Sequence, residues 1–166
     1  MEPIGIMTSN SFIDNTGSIG DYKQKTTLNV YFSDNTGKAL VAIPVDITYN
    51  ATIPLEQLAI EQLISGPYTI EGVSKNNVLP TIPKGTVLNK VTVKENTCYV
   101  DFSKEFLNKE DNITDYVAIY SVVNTLVELP SVNKVQFSID GEQVLKYNQN
   151  INFGETFERD LDLVKE

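Results

Sequence analysis

The residues best equipped for chemistry in this sequence are carboxylates gathered along one stretch: Glu105, Glu110, Asp111 and Asp115, with Asp101 just ahead of them. A pair of carboxylates can hydrolyse a glycosidic bond unaided, one as the acid and the other as base or nucleophile. The same residue types also suit a solvated loop at a helix start, where the positive end of the helix dipole favours negative charge. Asp111 and Asp115 flank such a start, and Asp101 precedes a cap, so structural roles account for them. Histidine is absent, which removes the commonest general base, the usual serine and cysteine triads, and the commonest metal ligand. The run Asp34-Asn35-Thr36-Gly37 has the look of a calcium loop. It lacks the longer ligand spacing and the distal bidentate Glu, so a hairpin turn is expected there. No Walker lysine loop, glycine-rich dinucleotide fingerprint or G-x-S-x-G elbow occurs. Cys98 is the single cysteine. It is in phase with Val100 and Phe102 on an expected strand and reads as a small core hydrophobe. The expectation is therefore a protein that is not an enzyme, with no catalytic residues, no cofactor and no metal.

Thirteen Lys and Arg against 22 Asp and Glu leave a net charge of −9. Binding to nucleic acid needs clustered cations, and adhesion to anionic lipid needs a polybasic patch; neither is present. No apolar run reaches eighteen residues and no basic-then-apolar leader is visible, so nothing in the sequence as written is expected to span a membrane or direct export.

The elements that hold these residues are legible from periodicity. From Ile113 to Leu129 apolar residues fill about half of a helical wheel, leaving a polar stripe of Ser121, Asn124, Thr125 and Glu128. Pro130 stops this helix. Lys134 to Asp140 then alternates, Val135, Phe137 and Ile139 against Gln136 and Ser138, the signature of a strand wet on one side. Asp140-Gly141 offers a hairpin turn, after which Val144 and Leu145 resume the apolar pattern. Earlier in the chain, Leu28, Val30 and Phe32 alternate with Asn29 and Tyr31. Leu40 to Thr48 forms a second strand, placed at an edge or bulge because Pro44 cannot donate to a ladder. Thr52 is positioned to cap a helix that ends at Ser65-Gly66-Pro67. Val87 to Val93 and Cys98 to Phe102 are two more strands, joined at Lys94-Glu95-Asn96-Thr97. Ser103 can cap a single helical turn, and Asn112 with Asp115 resembles a capping box for the long helix. Outward Tyr31, Tyr99 and Lys134 would decorate an exposed sheet face.

These patterns predict an α+β two-layer sandwich: a mixed or antiparallel sheet with its two main helices, 54–65 and 114–128, on one face. Residues 1–25 read as a flexible lead-in or tether, 26–155 as the domain, and 156–166 as an acidic C-terminal tail. The segment from Tyr68 to Gly85 has no period. Loops of that length inside a compact domain tend to serve contacts, so Tyr68, Lys75 and Asn76 are the expected interaction surface.

Several runs, taken together in order, resemble a known family. They are Leu63-Ile64-Ser65-Gly66-Pro67, Pro83-Lys84-Gly85-Thr86-Val87-Leu88, and Tyr99-Val100-Asp101-Phe102-Ser103-Lys104-Glu105-Phe106. Val123-Asn124-Thr125-Leu126, Leu129-Pro130-Ser131-Val132 and Val135 to Glu142 complete the set. The sequence from about Thr26 to Phe153 is similar to the GerMN domain family of sporulation and spore-germination proteins. The resemblance implies an extracytoplasmic domain of the bacterial cell envelope, commonly tethered as a lipoprotein, without a catalytic constellation to carry over. This sequence shows one copy and no lipobox cysteine. The resemblance further implies partners among other envelope or sporulation proteins, or a second copy of the chain. Binding of peptidoglycan glycan or peptide is the alternative function, and a carboxylate-based hydrolase the third.

Overall fold

In the computed structural model, residues 23–148 and 151–165 are described. The expected lead-in, 1–25, falls outside them apart from Lys23, Gln24 and Lys25. Strands β1 (Gln24–Asp34) and β2 (Leu40–Tyr49) form a long antiparallel hairpin in which Leu28 faces Val45 and Phe32 faces Val41. A short strand β3 (Val78–Leu79) joins the other edge of β1 at Ser33 and Asp34, leaving β2 as the edge strand that Pro44 requires. A second, mixed sheet has the order β4 (Leu88–Lys94), β5 (Thr97–Phe102) and β6 (Lys134–Ile139). β4 and β5 are antiparallel across Glu95-Asn96, both with positive φ. β6 lies parallel to β5 after the crossover through helix α2 (Asp115–Val127). Helix α1 (Leu55–Ser65) and a ribbon of β7 (Lys146–Tyr147) with β8 (Ile151–Asn152) complete the α+β architecture with its two main helices.

Alternation in the mixed sheet sorts as the sequence predicts. Cys98, Val100, Phe102, Val135 and Phe137 are buried, while Lys90, Thr92 and Tyr99 are exposed. Behind the buried face the phenylalanines stack: Phe102 on Phe106 at 4.5 Å between ring centres, and Phe137 on Phe153 at 4.9 Å. Parallel-offset contacts of this kind add to the area that large aromatics remove from water.

α2 departs from the half-wet helix expected of it. Ser121, Asn124 and Thr125 are as buried as the apolar residues beside them, and each polar group has a partner. Ser121 Oγ shares a hydrogen bond with Thr81 Oγ1 at 2.7 Å. Asn124 donates to the Asp160 carbonyl and accepts from the Asp160 N–H, both at 3.0 Å. Thr125 Oγ1 accepts the Tyr31 N–H at 2.9 Å. That last bond has a clear cause. The Tyr31 N–H points away from β2, past the end of β3, and a helix laid against a strand edge must satisfy such a group with a side chain.

The same packing overturns the outward placement of Tyr31. β1 is buried on both faces from Val30 to Asp34, and Tyr31 packs in a second cluster with Leu40, Ile113, Val117 and Ala118. Its hydroxyl donates to Glu128 Oε2 at 2.8 Å. Two caps also differ. α1 starts after Pro54 with no side-chain cap, because Thr52 hydrogen-bonds Asn50 instead. α2 is capped by Thr114, whose hydroxyl accepts from the Val117 N–H, rather than by Asn112. Asp140-Gly141 makes its turn, with φ of 50° and 82°, but the chain pairs back only at Ile139 and Glu142. Leu145 is consequently exposed.

Gly37 carries the tightest contact of the first hairpin. Its φ is +75°, and a Cβ there would fall 1.7 Å from the Asn112 carbonyl oxygen. That closeness seats the β1–β2 turn on the loop ahead of α2, where the Gly37 carbonyl accepts the Thr114 N–H. Residues 157–165 run back across the domain. Phe157 pairs with Val135 through two backbone bonds of 2.8 and 2.9 Å, and the Lys165 N–H donates to the Leu40 carbonyl at 2.7 Å.

Candidate functional site

The carboxylates named from the sequence meet separate partners where hydrogen bonds or ion pairs reach them. Asp115 accepts from Asn148 at 2.9 Å and lies 3.9 Å from Lys109. Glu110 accepts the Lys84 N–H at 3.2 Å. Asp34 spends its carboxylate on the hydroxyl and N–H of Thr36 within the turn, with Lys165 at 3.6 Å. The carboxyls that leave their ordinary range all move down. Burial would raise Asp34 and Asp101, but hydrogen bonds and a nearby lysine outweigh it. A hydrogen bond with Ser103 lowers Glu105. A general acid at neutral pH needs the opposite shift. Cys98 is buried, and burial, with Glu56 nearby, pushes its thiol up to about 12, so it has little thiolate character. Among the described residues no cluster of carboxylates and thiols could hold a metal ion.

The aperiodic segment does gather side chains. The Tyr68 hydroxyl donates to the Val78 carbonyl at 2.9 Å, which fixes the ring. The Lys75 ammonium lies over that ring, 5.4 Å from its centre, a cation–π arrangement. Asn76 is exposed beside them, and its N–H donates to Ser74 Oγ. Behind Tyr68 opens a groove of about 370 Å³, walled by Ile64, Pro67, Ile82 and Pro83, with Lys84 and Glu110 among its lining. Gly66, at φ +88°, turns the chain out of α1, and its N–H closes on the Gln62 and Leu63 carbonyls. Pro67 can then start a separate turn. Two separate runs of the sequence, 64–68 and 82–86, thereby line one groove. Sequence reasoning named the loop but not this convergence, since spacing says nothing about which loops meet.

A second constellation escaped the sequence reading. Asp101, on the outer face of β5, accepts from Ser138 Oγ on β6, from the Gly141 N–H at 2.7 Å and from Asn89 Nδ2 at 2.9 Å. Asn89 Nδ2 also reaches Asp140 Oδ1 at 3.2 Å. The alternation of β5 put Asp101 outward, but the register that sets it beside Ser138 belongs to tertiary structure.

Fold and site together define an α+β domain in which loop residues after α1 and ahead of β4 line one groove. The chain belongs to the Germane family, described as sporulation and spore germination, whose sequence model matches residues 29–145. It is 30% identical over 100 residues to the spore germination protein GerM of Bacillus subtilis (strain 168); the match takes in 56% of this chain and 26% of that protein. The fold is similar to the tandem GerMN domains of the sporulation protein GerM from Bacillus subtilis. The TM-score is 0.65 at 21% identity, covering 95% of this chain and 51% of that one. It is also similar to a lipoprotein candidate from Clostridium perfringens, with a TM-score of 0.53 at 20% identity over 89% of this chain and 93% of that one. The chain therefore spans about half of the tandem structure and about a quarter of the curated relative. No described helix is long and apolar enough to cross a membrane.

Proposed function

We propose that this chain is a non-catalytic, extracytoplasmic module of the cell envelope that acts in sporulation or germination by docking a protein partner or a second copy of itself. Contact runs through the groove behind Tyr68 and the adjoining Lys75–Asn76 turn. The observation that carries the reading is the convergence of runs 64–68 and 82–86 around that groove. Tyr68 and Ile64, 39% and 36% exposed, give it an apolar rim beside fixed polar groups, the usual makeup of a contact surface. The downward-shifted carboxyls favour docking over hydrolysis. The similarity to a lipoprotein candidate favours tethering by a lipid anchor as the means by which the domain reaches a membrane.

The test combines two measurements. Mass should be determined across a range of concentrations for self-association. Capture from envelope extract should be compared between the parent chain and the triple variant Tyr68→Ala, Lys75→Ala, Asn76→Ala, with circular dichroism to confirm folding. Loss of association or capture in a folded triple variant is the expected result. Release of soluble fragments from purified peptidoglycan, abolished by Glu105→Gln or Asp111→Asn, would replace this reading with an enzyme.

A further inference from the structure

The outer face of the mixed sheet holds a depression of about 660 Å³, separate from the Tyr68 groove. Its floor is the Asp101 network. Both Asp101 oxygens are occupied by Asn89, Ser138 and the Gly141 N–H, so this carboxylate fixes its neighbours rather than waiting for a cation. The groups it holds retain capacity. Asp140 has a carboxylate oxygen outside the network, Asn89 has its amide oxygen, and Ser138 and Thr92 have hydroxyl lone pairs. They are anchored at one end of the depression by the β4 irregularity between Leu88 and Lys90 and by the Asp140-Gly141 turn.

At the other end is Tyr99, 42% exposed, two residues along β5 and therefore roughly 7 Å from Asp101 on the same face. Tyr99 sits opposite Thr92 on one side and Gln136 on the other. An exposed ring with a row of acceptors one sugar length away suits an amphipathic ligand, with an apolar face for the ring and several hydroxyls to donate to the row. A tyrosine or arginine side chain can stack on Tyr99, but its donors then sit over the ring rather than along the row. A pyranose with equatorial hydroxyls supplies both, its axial C–H groups facing the ring and its hydroxyls directed sideways. Charge argues the same way. The lining sets one lysine, Lys90, against the two carboxylates Asp101 and Asp140, so an anionic ligand is disfavoured and a neutral one meets no repulsion.

We infer that this depression binds a neutral, β-linked pyranose chain, with Tyr99 as the stacking platform and Asn89, Asp140 and Ser138 as hydroxyl partners. The site is distinct from the groove of the docking proposal, and either can fail without the other. An open depression of this kind should bind with a Kd of about 1 mM or somewhat tighter.

The experiment is a titration of the isotopically labelled chain, followed by amide NMR, with three probes: cellotetraose, the tetramer of β-1,4-linked N-acetylglucosamine, and tetralysine. Either sugar should shift amides of residues 89–92, 99–101 and 138–141 in a saturable way. Tyr99→Ala and Asp140→Gly should each weaken binding about tenfold while leaving the remaining amide spectrum in place, glycine being at ease at the positive φ of residue 140. Neither substitution removes an Asp101 hydrogen bond, so a folded protein is expected in both cases. Absence of shifts with both sugars overturns the inference. So does saturation by tetralysine alone, which would make the depression a site for cationic peptide, and so does sugar binding that Tyr99→Ala leaves intact.

Discussion

The buried polar face of α2 and the outer polar face of the mixed sheet use nearly the same residue types to opposite ends. On α2, Ser121, Asn124 and Thr125 are sealed from water, and their hydrogen bonds go to Thr81, Asp160 and Tyr31. On the sheet, Asp101 spends its oxygens on neighbours, which leaves Asn89 and Asp140 oriented towards solvent beside the exposed Tyr99. Polar groups inside a fold have to be satisfied by the fold, because an orphaned one costs about 1–3 kcal/mol. Polar groups at the surface can be oriented by the fold and completed by something else. The first kind is read from stability, the second from ligands.

Four experiments would break or sharpen that contrast. The largest effect belongs to the aromatic layer that both regions rest on. Phe137→Ala should cost about 3–5 kcal/mol in denaturant unfolding, the usual range for emptying a fully buried aromatic site; a loss near 1 kcal/mol would mean the layer closes over the gap. Asn124→Ala comes next at about 2–3 kcal/mol, because the N–H and carbonyl of Asp160 both lose their partner. A loss of a few tenths would show that water reaches that end of the helix.

The third experiment uses pH. The folded state holds the Asp101 carboxyl below its ordinary value, the hydrogen bonds from Ser138, Asn89 and Gly141 outweighing the upward push of burial. Its stabilisation is therefore complete above the unfolded pKa, near 4, and is lost as pH falls through the lower, folded value. Asp101→Asn should cost about 1–2 kcal/mol at neutral pH, and the gap to the parent should narrow as pH falls below the unfolded value. Asp34 titrates in both proteins, so the difference isolates Asp101. A gap that stays constant with pH would mean the charge contributes nothing. The smallest effect should be Tyr99→Ala, within about 0.5 kcal/mol in stability, as expected of a ring that faces outward. A loss above 1 kcal/mol would move Tyr99 to the structural side of the comparison.

Much of this architecture was legible in the sequence because strands with one wet face announce themselves by alternation. Val135, Phe137 and Ile139 fell inward as their phase required, and Pro44 marked an edge strand through the N–H it lacks. Gly66-Pro67 and Asp140-Gly141 were readable because backbone geometry restricts which residues can occupy such turns. The polar stripe of α2 misled for a specific reason. Periodicity distinguishes polar from apolar but not satisfied from solvated, and Thr125 looks the same whether it meets water or the Tyr31 N–H. Tyr31 failed by the same route, since nothing local to β1 reports that a helix 94 residues away covers its second face. The groove and the sheet-face depression were invisible as sites. Each depends on loops or strands that meet only in three dimensions, although Tyr68, Lys75 and Tyr99 had been marked individually.

The bond from Tyr31 to Thr125 has a consequence in time. Together with the Leu40–Lys165 bond, it means that the first hairpin is completed only by segments synthesised much later. Closing a loop of 94 residues carries an entropic term of about 4 kcal/mol from its length alone, and contacts of such separation slow folding. While the chain is being made, β1 and β2 can pair early, but the edge of β1 stays open until α2 arrives. An open edge beside a hydrophobic face invites the wrong strand. A chain emerging from the ribosome thus passes through an interval in which its most aggregation-prone surface is also its most complete piece of structure.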